Sequence, residues 1–138
     1  MDCFIPLLKP FPALGQQVIH LQCGDALQVD RDALAKIFRH RPSAEVDEII
    51  CSVLEKMAHW LDRIEQGRDT GCADQIGHAA RRIVGLSAQI GLPDLALVAG
   101  HVADCAASGD PYALAATIAR LERAFDTAVV AVWDFRDP

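Results

Sequence analysis

His78 and Arg81 stand three residues apart in a stretch that also holds Gly77, Arg82, Gly85 and Ala88. An imidazole exchanges its proton near neutral pH, whereas a guanidinium stays charged, with a pKa above about 12. On a helix at about 100° per residue with Arg81 as zero, Gly85, Ala88, Gly77 and His78 fall at roughly +40°, −20°, −40° and +60°. Ile76, Ala80, Ile83, Ser87 and Ile90 fill a sector of about 80° on the other side. The spacing therefore predicts Arg81, Gly85 and Ala88 facing solvent and Ile76, Ile83 and Ile90 buried. A glycine inside a helix costs about 1 kcal/mol relative to alanine. A solvated face gains nothing in return, whereas a face approached closely by another protein does. The same glycines could instead let a neighbouring helix or an N-terminal arm pack tightly, and the pattern alone leaves both uses open.

The elements that must position these residues read as helices. Asp30 caps a short helix through Phe38, which Arg39-His40-Arg41-Pro42 ends. Ser43 is expected to cap a long helix, with Glu45, Asp47 and Glu48 in its first turns, where the helix dipole favours anions. Val46, Ile49, Ile50, Val53, Leu54, Met57, Leu61 and Ile64 then recur at spacings of three and four, and the stripe ends near Gly67. A third helix runs from about Thr70 or Ala73 to Ile90, stopped by Gly91 and Pro93. A fourth carries Leu95, Val98, Ala99, Val102 and Cys105 inward and ends at Ser108-Gly109. Asp110-Pro111 opens a fifth, with Leu114, Ile118, Leu121, Phe125, Val129 and Val132 on one face up to Trp133.

No strand pattern competes, and the connections are short. Consecutive long helices should lie antiparallel, giving an all-α up-down four-helix bundle with a short lead helix. Residues 1–28 are broken by Pro6, Pro10, Pro12, Gly15 and Gly24 and read as an N-terminal arm ahead of a domain over 29–138. Phe4, Ile5, Leu7, Leu8 and Phe11 are too apolar to hang in water and are expected to cover one end or side of the bundle.

Composition narrows the function. Apolar residues make up 51% of the 138, enough for a core, and the formal net charge is −6. That balance argues against general binding to nucleic acid or an anionic membrane. No apolar run approaches the roughly 20 residues of a membrane span, and the first twelve residues make a poor secretion signal. Cys3, Cys23, Cys51, Cys72 and Cys105 are scattered, with no CxxC pair, as expected of reduced thiols in a cytoplasm. His20, His40, His59, His78 and His101 never pair at i,i+4 spacing, so neither a zinc site nor another cofactor is expected. Arg39-His40-Arg41 reads as a basic helix end. There is no GxSxG, no phosphate-cradling glycine loop and no carboxylate pair on one helix face, which leaves no sign of a hydrolase.

The segment Arg81-Arg82-Ile83-Val84-Gly85-Leu86-Ser87-Ala88-Gln89-Ile90-Gly91, followed by Leu95 and Ala99, resembles the signature helix of histidine-containing phosphotransfer (HPt) domains. That family has a phosphorylatable His, a Lys three residues on, a Gly four on, small residues next, and a second Gly six residues after the first. Gly85, Ser87, Ala88 and Gly91 fall in place, and the resemblance extends over roughly 110 residues. It implies a four-helix bundle that relays phosphate between Asp residues of response-regulator receivers. In this register Arg81 occupies the His position and Val84 the Lys position. Arg81 cannot accept a phosphoryl group, because its guanidinium stays protonated. His78 lies one turn earlier, with Arg81 three residues after it in place of the family's Lys, but Arg82 rather than Gly follows four residues on.

Two functions follow as expectations. One is an HPt-like cytoplasmic signalling protein, monomer or weak dimer, that docks a response-regulator receiver or a histidine kinase through Gly77, Arg81, Arg82, Gly85 and Ala88. The other is an active phosphotransfer protein with His78 as acceptor. A helical interaction protein unrelated to phosphorelay is the third alternative.

Overall fold

The structure is a computed structural model describing residues 28–136, with Phe38 described in its backbone alone. Among the described residues the chain forms five helices and no strand: α1 (Arg31–Phe38), α2 (Ser43–Thr70), α3 (Ala73–Gln89), α4 (Pro93–Ser108) and α5 (Pro111–Arg136). The expected arm, with its apolar residues from Phe4 to Phe11, lies outside the described residues.

The helix starts follow the capping chemistry at two sites and depart from it at a third. The Asp30 carboxylate accepts from the Ala33 N–H at 3.1 Å, and Asp110 accepts from the N–H groups of Tyr112 and Ala113 at 3.0 and 3.2 Å. Ser43 does not cap α2. Pro42 takes the cap position, with φ −62° and ψ 150°, and makes no side-chain cap bond. Ser43 is the first helical residue, and its hydroxyl receives the Arg136 guanidinium instead.

Two helix ends also lie beyond the sequence estimates. α2 continues past Gly67 to Thr70, and the left-handed Gly71, at φ 73°, stops it. Gly67 is buried, and a Cβ there would stand 2.8 Å from Ile76 Cγ1, so its role is to admit α3 rather than to end α2. α5 runs to Arg136, three residues past Trp133.

One core cluster joins all the helices. Leu34 of α1, Met57 and Ile64 of α2, Ile76 and Ile83 of α3, Leu95 and Val102 of α4, and Ile118 and Leu121 of α5 are buried in it. Burial of each such side chain stabilises the fold by about 1.5–3 kcal/mol. Close packing follows chain order, α2 on α3, α3 on α4 and α4 on α5. α5 also meets α2 through polar groups, with Arg136 Nε 3.0 Å from Asp47 Oδ1.

α1 is fastened across this assembly. Its preceding segment donates from the Gln28 N–H to Asp94 Oδ2 at 2.8 Å and from the Asp30 N–H to the Gly91 carbonyl at 2.7 Å. The Arg31 guanidinium lies 5.2 Å from the Phe135 ring centroid. No helix among the described residues is long and apolar enough to cross a membrane.

Candidate functional site: the outer crest of α3

α3 turns its isoleucines inward and its cations outward. Ile76, Ile83 and Ile90 are buried, while Arg81, Gly85 and Ala88 are exposed. Apart from its chain neighbours and the backbone of its own helix, no described residue places an atom within 4 Å of a Cβ built on Gly85. Among the described residues, then, nothing packs into the space this glycine leaves. Of its possible uses, packing by a neighbouring helix finds no partner among the described residues, and packing by the expected arm falls outside them.

Gly77 does not share that crest. It is buried, and its open side is filled by two groups. The Arg81 guanidinium nitrogens lie 3.5 and 3.7 Å from the position of a Cβ on residue 77, and Ala106 of α4 lies 3.9 Å away. At about −40° from Arg81, residue 77 falls where α4 comes alongside, a proximity that one-helix angles do not contain. Arg81 folds back over it, on the α4 flank of α3.

His78 and Arg82 lean the other way, onto Trp60 of α2. The His78 ring meets Trp60 edge-on, with centroids 5.5 Å apart and planes at 79°. The Arg82 guanidinium lies 5.3 Å from the Trp60 ring centroid, and His59 makes a further edge contact at 5.0 Å. His78 and Arg82 remain exposed and Trp60 is half-buried. Arg81 and Arg82 therefore diverge instead of forming a paired cation patch. His78 and Arg81 likewise sit on opposite flanks of α3.

Trp60 was not among the residues singled out by sequence reasoning. It falls one residue before Leu61 of the apolar stripe, and its i−4 and i+3 neighbours are Lys56 and Arg63, a helical spacing that could have marked it. The carboxyl pair Glu65 and Glu122 was also missed, because its members lie on different helices. Partial burial, then a hydrogen bond to Glu65 and repulsion from it, push the Glu122 carboxyl above its ordinary value. Asp126 adds to that rise, and Arg68 opposes it.

The remaining sequence candidates stay apart. His101 and Cys105 are half-buried, and Cys51 and Cys72 are exposed free thiols. No group of three metal-ligating side chains converges among the described residues. The basic helix end is exposed, and Arg41 donates from Nη1 to the Ile37 carbonyl at 3.0 Å, which caps α1. Ser87 is fully buried and its hydroxyl has no hydrogen-bond partner among the described residues, so smallness is what the core uses there.

Compared with family models, with curated proteins and with solved structures, the chain matches none.

Proposed function

We propose that this chain is an HPt-like two-component signalling protein of the cytoplasm that docks a response-regulator receiver or a histidine kinase through the crest of α3, without the usual phosphorylatable histidine. In this reading α2 to α5 form an antiparallel up-down four-helix bundle. Arg136 at the end of α5 reaching Asp47 near the start of α2, and Glu122 meeting Glu65 further along, support that arrangement.

The observation that carries the docking reading is Gly85. It stands inside a helix, where glycine costs about 1 kcal/mol, is exposed, and leaves a space that none of the described residues enters. An incoming backbone or side chain can come closest there, and Arg81, one turn earlier with its guanidinium folded over Gly77, would swing out to meet the acidic cluster around a receiver's phosphorylatable Asp. Binding of isolated receiver domains to Arg81→Glu, Gly85→Leu and Arg120→Glu tests this. The first two should weaken binding and the third, an exposed charge on α5, should not. Equal affinity in all three would retire it.

The active-phosphotransfer alternative has one observation in its favour: the His78 imidazole is exposed on the same helix. Its ring meets Trp60 of α2, about two turns before Gly85 and at nearly the same angle around α3.

A further inference from the structure

The seam between α2 and α3 carries a concentration of cations at odds with the chain's net charge of −6. Taken at about 100° per residue, Lys56, Trp60 and Arg63 lie within some 60° of one another on α2, and no Asp or Glu from residue 52 to residue 70 falls in that strip. The α3 side supplies His78 and Arg82, both against Trp60, whereas Arg81 turns to the α4 flank. One turn below, Gln75 Nε2 donates to the Arg63 carbonyl at 2.9 Å and ties the two helices together. After Asp74 in its first turn, α3 has no carboxylate at all. Lys56, Arg63, Arg81 and Arg82 are exposed, and none is in an ion pair with another described residue.

We infer that this seam, centred on Trp60, recognises an acidic protein surface. The inference rests on the docking reading above and widens it from one helix to two. Exposed Lys56, Arg63 and Arg82 around Trp60, on a strip of α2 that holds no carboxylate, are complementary to a cluster of acids, and they steer its approach over a Debye length of about 8–10 Å. A half-buried tryptophan at the centre of a polar ring is the kind of residue that carries much of the energy of a protein interface. Nucleic acid fits less well. The Trp60 ring is engaged by Arg82 and His78, which obstructs stacking by a base, and the acidic remainder of the chain repels a long polyanion.

Trp133→Phe leaves Trp60 as the sole fluorophore of the two tryptophans. In that background the full chain is titrated with isolated receiver domains in Mg²⁺ and, separately, with single-stranded DNA. The expected result is a receiver-dependent change in Trp60 emission that weakens with salt. Lys56→Glu with Arg63→Glu should lower receiver affinity by about tenfold or more at an unchanged melting temperature, and Lys56→Gln with Arg63→Gln should lower it less. Loss of binding in Arg81→Glu with full binding in the Lys56/Arg63 pair would overturn the seam and leave the crest reading standing. A parent protein that binds no receiver would overturn both. Tighter binding of DNA than of any receiver would overturn the choice of an acidic protein.

Discussion

The Asp30 N–H donates to the Gly91 carbonyl at 2.7 Å, and the Asp30 carbonyl oxygen lies 2.8 Å from the place a Cβ on residue 91 would occupy. Gly91 also has φ 71°, a backbone conformation that side chains disfavour. Gly91→Ala is therefore opposed twice, by the backbone angle and by contact with the segment leading into α1. It should lower unfolding free energy by about 2 kcal/mol or more in urea titration. An unchanged midpoint would mean that the lead segment does not sit against the α3–α4 turn.

Gly85 should respond in the opposite sense. Apart from its chain neighbours and the backbone of its own helix, alanine there meets no described atom within 4 Å, and it removes the flexibility of a glycine inside a helix. Gly85→Ala should raise stability by about 0.5–1 kcal/mol, and Gly85→Leu should leave the melting temperature nearly unchanged. A drop of many degrees in the leucine variant would show that something packs into that space after all.

These two glycines show which part of the site can be read from one chain. Both fit the signature spacing, and the sidedness of Ile76, Ile83, Ile90 and Arg81 follows from helical period alone, so that part was legible. The division of labour between the glycines was not, because it depends on Asp30, some sixty residues away in sequence. Gly77 was assigned to the crest for a related reason: its angle is right, but only the approach of Ala106 decides what covers it. Ser43 is an ordinary capping residue by type. The Arg136 guanidinium, reaching it from the far end of the chain, engages its hydroxyl instead. Local period and turn chemistry were visible, whereas contacts made between distant helices were not.

Glu122 gives a pH dependence of definite sign. Its carboxyl titrates above the ordinary value of 4.5, chiefly through burial and then through Glu65. The folded state thus favours the protonated form. The stabilisation from that proton is complete below pH 4.5 and is lost as pH rises through the elevated value. Glu122→Gln keeps an uncharged side chain at every pH, so its melting temperature should exceed that of the parent at pH 7. The difference should shrink toward zero near pH 4. A variant less stable than the parent at pH 7 would contradict the repulsion between the two carboxyls.

Phosphorylation chemistry separates the two signalling readings. Incubated with acetyl phosphate and then with a phosphorylated receiver, the chain should show no acid-labile gain of a phosphoryl group by intact-mass measurement, because Arg81 occupies the acceptor position of the resemblance. A gain that disappears in His78→Gln would transfer the function to His78 and displace the docking-only reading.

The order in which the helices pack bears on how the chain folds. α2 meets α3, α3 meets α4 and α4 meets α5, so most of the interior forms between stretches already joined by a turn of two or three residues. Such short-range closure loses little chain entropy and favours rapid collapse of helical hairpins. The Arg136 contacts with Asp47 and Ser43 are the exception, joining groups some ninety residues apart. Their large loop-closure cost favours forming them last. Bonds made after the rate-limiting step act on the escape rate from the folded state and leave the folding rate almost untouched. The end of α5 is thus a latch on lifetime rather than a guide to the fold.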